Sequence, residues 1–268
     1  MKKVRLIGRR FSFFILVLML LTLFCTLFLD VQSWQEVKAS QVFLPPSFQH
    51  WLGTDSLGRD YALRLLLGLR TSFLISLLGT SISFVIGVGF GNWAAWTEEK
   101  RGSLLNRFFD FVQSIPSFLI LAIAMQFFLK KESWVLILAM GIGGGFLHWP
   151  QLARLTRAQL FKTMREPYVE AAYTLGGTPL YISMKHLWPS AYAIWLAWFG
   201  FHLPGEIMFE STLSFLGFGV QPPQTSLGLL MSEGWRYLDD RPIFLFAPAL
   251  LSLVVVLSFR MLFKKPVN

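Results

Sequence analysis

Ionisable residues inside long apolar stretches are the first candidates for chemistry in this sequence of 268 residues. Glu206 and Glu210 lie four residues apart in one such stretch, and acids inside a membrane span are often functional, for example as ion relays. We expect both to lie near the outer end of a span and beside water. For Glu210 we favour a structural role, in shaping an outer gate or a docking surface, over a proton relay.

The remaining reactive residue types form no recognisable constellation. His148, His186 and His202 are too scattered in the sequence to argue for a metal site. The single cysteine, Cys25, lies in an apolar run and excludes a disulfide or a thiolate cluster within one chain. No nucleophile–base pair stands out, and the phosphate-binding pattern GxxxxGK[ST] is missing from the sequence. We predict no catalytic residue, no metal site and no cofactor bound by this chain.

A polar island, Arg165 to Pro189, separates two of the apolar runs. Helical spacing from Tyr168 to Leu175 places these two residues and Ala172 on one face, with Val169 beside it. Glu166 and Pro167 suit a first helical turn, because an acid favours the positive helix end and proline lacks an N–H that would be unpaired there.

Glycine then interrupts this island. Gly176 and Gly177 predict a helix end, since glycine accepts the left-handed geometry of a C-terminal cap. Thr178 as N-cap and Pro179 at the first helical position predict a second helix. The island is therefore expected to form a helix–glycine–helix hairpin against a membrane, and its small residues permit close approach of another surface.

Composition excludes an ordinary soluble domain. Hydrophobic residues make up 54% of the chain and charged residues 15%, whereas soluble domains carry about 25% charged residues. The formal charge of +9 could suggest nucleic acid, but the basic residues flank apolar runs, which is typical of membrane topology. The sequence predicts an all-α membrane protein that does not bind nucleic acid.

Six apolar runs are long enough to cross a bilayer of about 30 Å. They are Phe11–Leu29, Thr71–Thr97, Phe111–Leu129, Ser133–Trp149, Pro189–Leu213 and Pro242–Phe259. The first run is too long for a signal peptide and lacks a clear cleavage site, so we interpret it as an uncleaved span. A kink is expected at Ile115-Pro116. The predicted segments are the N-terminus with the first span (1–30), an extracytoplasmic segment (31–70), a core of five spans (71–263) and a short tail (264–268).

The segments between the spans set the orientation. We expect a charged connector over 98–110, a basic loop after Trp149 and a Gly/Pro-rich loop over 214–241. Most of the 24 lysine and arginine residues fall in segments that are cytoplasmic if both chain ends are cytoplasmic, in agreement with the positive-inside rule. The hairpin then lies at the cytoplasmic face. Outside, Gly53–Asp55 and Gly58–Asp60 predict tight turns before a short amphipathic helix, Tyr61–Leu69.

Several of these motifs together resemble one family. Glu170-Ala171-Ala172, followed by Gly176 and then by Leu187-Trp188-Pro189, resembles the EAA loop of binding-protein-dependent ABC importer permeases, where Ile-Leu-Pro is more usual. The wider pattern is similar to the second permease of the dipeptide, oligopeptide and nickel group. It comprises Leu52-Gly53-Thr54-Asp55 with Gly58-Arg59-Asp60, Ile115-Pro116 with Phe118-Leu119, and Glu210 with Leu213-Ser214-Phe215-Leu216-Gly217 and Gly219-Val220-Gln221-Pro222-Pro223.

The resemblance implies a type I ABC importer permease fold in the bacterial inner membrane, with this chain forming half of a translocation pathway. It also implies two separate ATPase subunits that bind ATP and Mg²⁺, a second related permease, an extracytoplasmic binding protein and the lipid bilayer as partners. The implied ATPase-coupling residues are Glu170, Ala171, Ala172, Gly176, Leu187 and Pro189. Those implied at an outer gate or binding-protein contact are Thr54, Asp55, Gly58, Arg59, Asp60, Glu210 and Gly217.

Alternatives remain open at this point. By spacing alone, the hairpin could equally be an ordinary amphipathic interfacial helix. A secondary transporter that works alone would instead show ionisable residues at the bilayer midplane and inverted repeats, neither of which is clear in the sequence. The cargo is expected to be a di- or oligopeptide, with nickel or another small solute as the alternative.

Overall fold

The computed structural model describes residues 37–97 and 99–263, together with Phe13, Val17, Leu21 and Thr26. The predicted first span lies outside the described residues apart from these four, and so does the predicted tail, 264–268. The described part of the chain is helical and contains no strand, only an isolated bridge between Thr54 and Asp60.

The longest helix among the described residues, α1, runs from Tyr61 to Ala95. It begins where Asp60 caps it by accepting a hydrogen bond from the backbone N of Leu63. Because α1 continues without a break through residue 70, the predicted amphipathic helix and the second span are one helix. The predicted segment boundary at 70 therefore falls inside α1.

The next two helices are α2, Glu99–Ser114, and α3, Ser117–Gln126. They meet at Ile115-Pro116 with a bend of 60°, which confirms the predicted kink. The charged connector predicted over 98–110 is helical from Glu99 onward. Apolar packing explains this, since Phe109 is buried against Trp149 of the later helix Ser133–Met164.

Helix α4 runs from Ser133 to Met164. The basic loop predicted after Trp149 is wrong, because α4 continues for about four more turns. Leu152, Thr156 and Leu160 recur at helical spacing and are buried, and this buried face holds the segment in the helix. The basic side chains thus lie on the end of a long helix.

The hairpin consists of α5, Pro167–Thr174, and α6, Pro179–Ile182. A π-helical turn, Ser183–Leu187, joins α6 to α7, which runs from Trp188 to Phe215. The predicted Gly/Pro-rich loop over 214–241 contains a further helix, α8, Leu227–Trp235, capped by the side chain of Ser226. The last described helix is α9, Ile243–Phe263.

Glycines allow α1 and α4 to pack closely along much of their lengths. A Cβ atom at Gly79 would lie 3.1 Å from the carbonyl oxygen of Gly141, and one at Gly87 would lie 2.8 Å from Cβ of Leu152. Small residues permit such contacts between helices in lipid. Helices α1, α4 and α9 are long and apolar enough to cross a bilayer, and the bent pair α2–α3 would make a fourth span.

Candidate functional site

The hairpin ends and restarts at the predicted residues. Pro167 occupies the first turn of α5, and Gly176 after its end has a φ of +86°, which a residue with a side chain rarely adopts. Thr178 caps α6 by accepting a hydrogen bond from the backbone N of Tyr181 at 3.3 Å, and Pro179 follows at the first helical position. The predicted helix–glycine–helix hairpin is confirmed.

The base of the hairpin is buried against the long helices. Val169 is 3% exposed and packs in one cluster with Ile182 and Leu187, together with Leu160 of α4 and Trp195 of α7. This cluster joins both hairpin helices to the two helices that flank them. The hairpin is therefore fixed at its base by apolar packing.

Hydrogen bonds also attach the hairpin to the C-terminal end of α1. Nε1 of Trp96 donates to Oγ of Ser183 at 2.8 Å, and Nε1 of Trp188 donates to Oδ1 of Asn92 at 3.2 Å. Three long helices thus converge on the hairpin base.

The other side of the hairpin is open. Tyr168 and Leu175, which helical spacing places on one face, are both exposed, Leu175 at 88%, whereas the neighbouring Val169 faces the protein. We call the exposed apolar residues the hairpin tip: Tyr168, Tyr173, Leu175, Leu180, Tyr181 and Met184. Glu170, Ala171 and Pro189 are also exposed, while Ala172 is half-buried. An exposed apolar patch on a fixed support is suited to contact with another protein.

A second group of predicted residues lies at the opposite end of α1, about 50 Å away at 1.5 Å per residue. Both oxygens of the Asp55 carboxylate are engaged. Oδ1 accepts hydrogen bonds from the backbone N of Leu57 at 2.8 Å and of Arg59 at 2.9 Å. Oδ2 accepts from Nε of Arg59 and from Nη1 of Arg64, both at 2.8 Å. Nη1 of Arg64 also lies 2.7 Å from Oε2 of Glu233 in α8.

The neighbouring residues of this outer loop make similar internal contacts. Thr54 accepts a hydrogen bond from the backbone N of Leu44 at 2.7 Å, and Asp60 lies 2.7 Å from Nδ1 of His50. Gly58 has a φ of +75°, and a side chain there would collide with the carbonyl oxygen of Lys38. The backbone N of Gly53 donates to the carbonyl oxygen of His50, and that of Gly58 to the carbonyl oxygen of Asp55. Two tight turns are therefore present, but they end at the glycines instead of continuing to Asp55 and Asp60 as predicted. Thr54, Asp55 and Arg59 are buried and present almost no surface to a partner.

Glu210 is buried in α7 and is 2% exposed, so its predicted position beside water is wrong. Its carboxylate accepts a hydrogen bond from Oγ of Ser214 at 2.7 Å and lies 3.3 Å from Oγ of Ser211. Oγ of Ser214 in turn accepts from the backbone N of Val220. Glu210 therefore holds the loop that follows α7, in which Gly217 is exposed with a φ of +85°.

Glu206 is also buried, at 5% exposure, and its predicted position beside water is wrong as well. His148 of α4 and His202 of α7 approach its Oε1 atom at 2.5 and 3.0 Å. The prediction that the histidines are too scattered for a metal site is wrong for these two, because the packing of α4 against α7 brings them together. His186 stays at the hairpin, beside Tyr168 and Tyr181.

Part of this cluster could have been found in the sequence. His202 and Glu206 are four residues apart, and this spacing places them on one helical face. His148 gives no such signal, because only tertiary packing relates it to residues more than fifty positions away.

Comparison with known proteins identifies the family. Residues 83–265 match the family described as "Binding-protein-dependent transport system inner membrane component". The oligopeptide transport system permease protein OppC of Bacillus subtilis is 32% identical over 237 residues, which cover 88% of this chain and 75% of that protein. OppC of Haemophilus influenzae is 30% identical over 244 residues, with coverages of 88% and 77%.

A dipeptide transport system permease and a solved transporter are also similar. DppC of Lactococcus lactis is 32% identical over 216 residues, which cover 81% of this chain and 62% of that protein. A chain in an inward-facing structure of the MetNI methionine ABC transporter matches 74% of this chain and 92% of its own length, with a TM-score of 0.58 and 19% identity. That likeness shows a common fold.

Membership of this family explains the apolar helices. It also favours the importer over a secondary transporter that works alone. The chain belongs to the inner membrane components of binding-protein-dependent transport systems and is a permease subunit of an ABC importer.

Proposed function

We propose that this permease subunit forms half of the pathway for di- or oligopeptides that an extracytoplasmic binding protein delivers. The support for this cargo is the similarity to OppC and DppC, which are permeases of oligopeptide and dipeptide transport systems. The other half of the pathway comes from a second, related permease. ATP is hydrolysed by two separate ATPase subunits, and this subunit is non-catalytic.

The proposed topology has six membrane-spanning helices with both ends in the cytoplasm. The distribution of lysine and arginine supports this orientation. The location of the two motif groups at opposite ends of α1 is consistent with it, because the hairpin would then face the ATPase subunits and the outer loop would face the binding protein.

The hairpin is proposed to be the coupling element that contacts an ATPase subunit. One observation carries this proposal: the base of the hairpin is buried against α4 and α7, while its tip is apolar and exposed. A fixed base transmits a displacement to the spans, and an exposed apolar tip suits an intersubunit groove.

The motif residues divide between these two tasks. The small side chain of Ala171 permits close approach, and Glu170 in the first turn of α5 offers a charge to a basic partner group. Gly176 sets the angle between the hairpin helices, and the buried Leu187 belongs to the base.

The outer motif is proposed to shape its loop from within. Both oxygens of the Asp55 carboxylate accept internal hydrogen bonds, from the backbone N and from Nε of Arg59 among others. Contact with the binding protein, or with a gate, would then be made by the exposed surface that these buried groups support.

Substitution of Gly176 by leucine tests the coupling role in proteoliposomes that contain the whole importer. Leucine is disfavoured at a φ of +86° by about 1–2 kcal/mol, so the hairpin angle should change. We expect loss of peptide uptake and loss of the ATPase response to loaded binding protein.

Gly89→Leu is the matched control, because a Cβ atom at Gly89 has no neighbour within 4 Å and the residue lies within regular helix. The coupling role is wrong if Gly176→Leu takes up peptide at the normal rate with a normal ATPase response.

A further inference from the structure

Three potential metal ligands converge where α4 packs against α7, with Glu206 buried and the two histidines half-buried. Ligand atoms of His148, His202 and Glu206 all lie within 4.8 Å of one another. His148 is halfway along α4, and Gly79, halfway along α1, faces the same carboxylate, since a Cβ atom there would lie 3.7 Å from Oε2 of Glu206. The cluster therefore lies at mid-length of the long helices, far from both the hairpin and the outer loop.

We propose that His148, His202 and Glu206 form a binding site for a divalent transition-metal ion such as Zn²⁺, Co²⁺ or Ni²⁺. Two imidazole nitrogens and one carboxylate make a ligand set that these ions accept, with a further coordination position left for water or a solute. The site goes beyond the proposed peptide pathway, and its occupancy does not depend on which cargo the importer carries.

The geometry of His202 favours a metal ion over a simple hydrogen bond. Its Nε2 atom lies 3.0 Å from Oε1 of Glu206, yet it is buried and has no hydrogen-bond partner among the described residues. The nitrogen is thus close to the carboxylate but is not aligned to donate a proton to it. A buried polar atom without a partner is costly, and an ion between the two groups would satisfy it.

The surroundings of the ligands are those of an oriented site. Oγ of Ser117 lies 3.2 Å from Nε2 of His148, the ring nitrogen that is turned away from Glu206. The indole of Trp198 stacks on the ring of His202 with centroids 4.2 Å apart. Partners that fix the second nitrogen and the plane of a ligand histidine are a regular feature of metal sites.

Small residues leave space around the carboxylate. A Cβ atom at Gly144 would lie 3.1 Å from Oε2 of Glu206, so a side chain there would crowd this oxygen. Because His148 comes from α4 and the other two ligands come from α7, a bound ion would link these helices at mid-length.

The test uses the complete importer, purified with a tag that contains no histidine, treated with chelator and freed of nucleotide. Titration with Co²⁺ should give visible absorption bands of a site with low coordination number and about one ion per copy of this chain. His202→Gln or Glu206→Gln should weaken binding by about tenfold or more. His186→Gln, which removes a histidine at the hairpin, should leave binding unchanged.

X-ray absorption of the wild-type complex provides a measurement that does not depend on how well the variants fold. It should show imidazole and carboxylate ligands at about 2.0–2.2 Å from the ion. Absence of imidazole scattering, or a Co²⁺ stoichiometry that His202→Gln and Glu206→Gln do not change, overturns the proposal.

A second arm separates a resident ion from a transported one. Proteoliposomes that contain the importer, ATP and radioactive Ni²⁺ accumulate the ion if it is cargo. They bind only the stoichiometric amount if the ion is resident. Either result is compatible with the proposed binding site. Because metal binding is measured without peptide, a failure of this proposal leaves the peptide-uptake result intact, and the converse also holds.

Discussion

Nε1 of Trp96, the residue that ends α1, donates a 2.8 Å hydrogen bond to Oγ of Ser183 in the π-helical turn of the hairpin. This bond links the proposed coupling hairpin directly to the longest described helix. Since the opposite end of α1 carries the outer loop, α1 connects the two motif groups of the subunit.

Replacement of Trp96 by phenylalanine should weaken this link. The change removes the N–H donor and leaves the buried hydroxyl of Ser183 with one partner fewer, at a cost of about 1 kcal/mol. Because the apolar base remains, we expect a partial effect, a decrease of up to about fivefold in peptide transported per ATP hydrolysed. Trp93→Phe is the control, since Trp93 is exposed on the same helix. An unchanged transport ratio in Trp96→Phe would show that the bond does not contribute.

The ion-pair network of the outer loop should be a major source of its stability. Arg64→Gln breaks a buried pair and leaves the carboxylate of Asp55 without one of its cationic partners, which typically costs about 3–5 kcal/mol. We expect a lower unfolding temperature of the purified subunit complex and faster proteolysis within residues 37–60. Arg154→Gln is the comparison, because its pair with Asp110 is exposed and should contribute at most about 1 kcal/mol. Equal effects of the two substitutions would contradict this assignment.

Close packing of α1 on α4 makes one glycine more sensitive than its neighbour. A Cβ atom at Gly91 would lie 2.6 Å from the carbonyl oxygen of Ala153 and from Cβ of Thr156. Gly91→Val should therefore lower the free energy of unfolding of the subunit by about 1–3 kcal/mol. We also expect less assembled importer in the membrane. Gly89→Val carries the same change in helix propensity without the contact. If the two variants assemble equally well, the α1–α4 contact is looser than the structure indicates.

Local features of the fold were predictable from the sequence because a few adjacent residues decide them. The caps at Thr178 and Gly176 and the bend at Ile115-Pro116 all depend on the backbone preferences of the named residues. The continuation of α4 beyond Trp149 was not predictable from hydropathy, because the arginines there occupy the polar side of a helix whose other side is buried.

The buried polar groups depend on tertiary packing and could not be predicted in full. Asp55 and Arg59 share one turn, but the bridge from Arg64 to Glu233 connects residues that are distant in the sequence. Glu206 is expected beside water from its position near the outer end of an apolar run. Its burial follows from the packing of α7 against Gly79 of α1 and Gly144 of α4, which the linear sequence does not reveal.

Photo-crosslinking can detect the proposed contact between the hairpin and an ATPase subunit in the assembled importer. Cys25 is the only cysteine of the chain, so a Cys25→Ser background allows one thiol to be placed at will. Ala171→Cys, exposed on α5, and Trp51→Cys, exposed on the outer loop, would each carry a photoreactive maleimide in the assembled importer. We expect a crosslinked product with an ATPase subunit from Ala171→Cys and none from Trp51→Cys. Absence of an ATPase product from Ala171→Cys in an intact complex, or its appearance from Trp51→Cys, would show that the hairpin is not the contact with the ATPase.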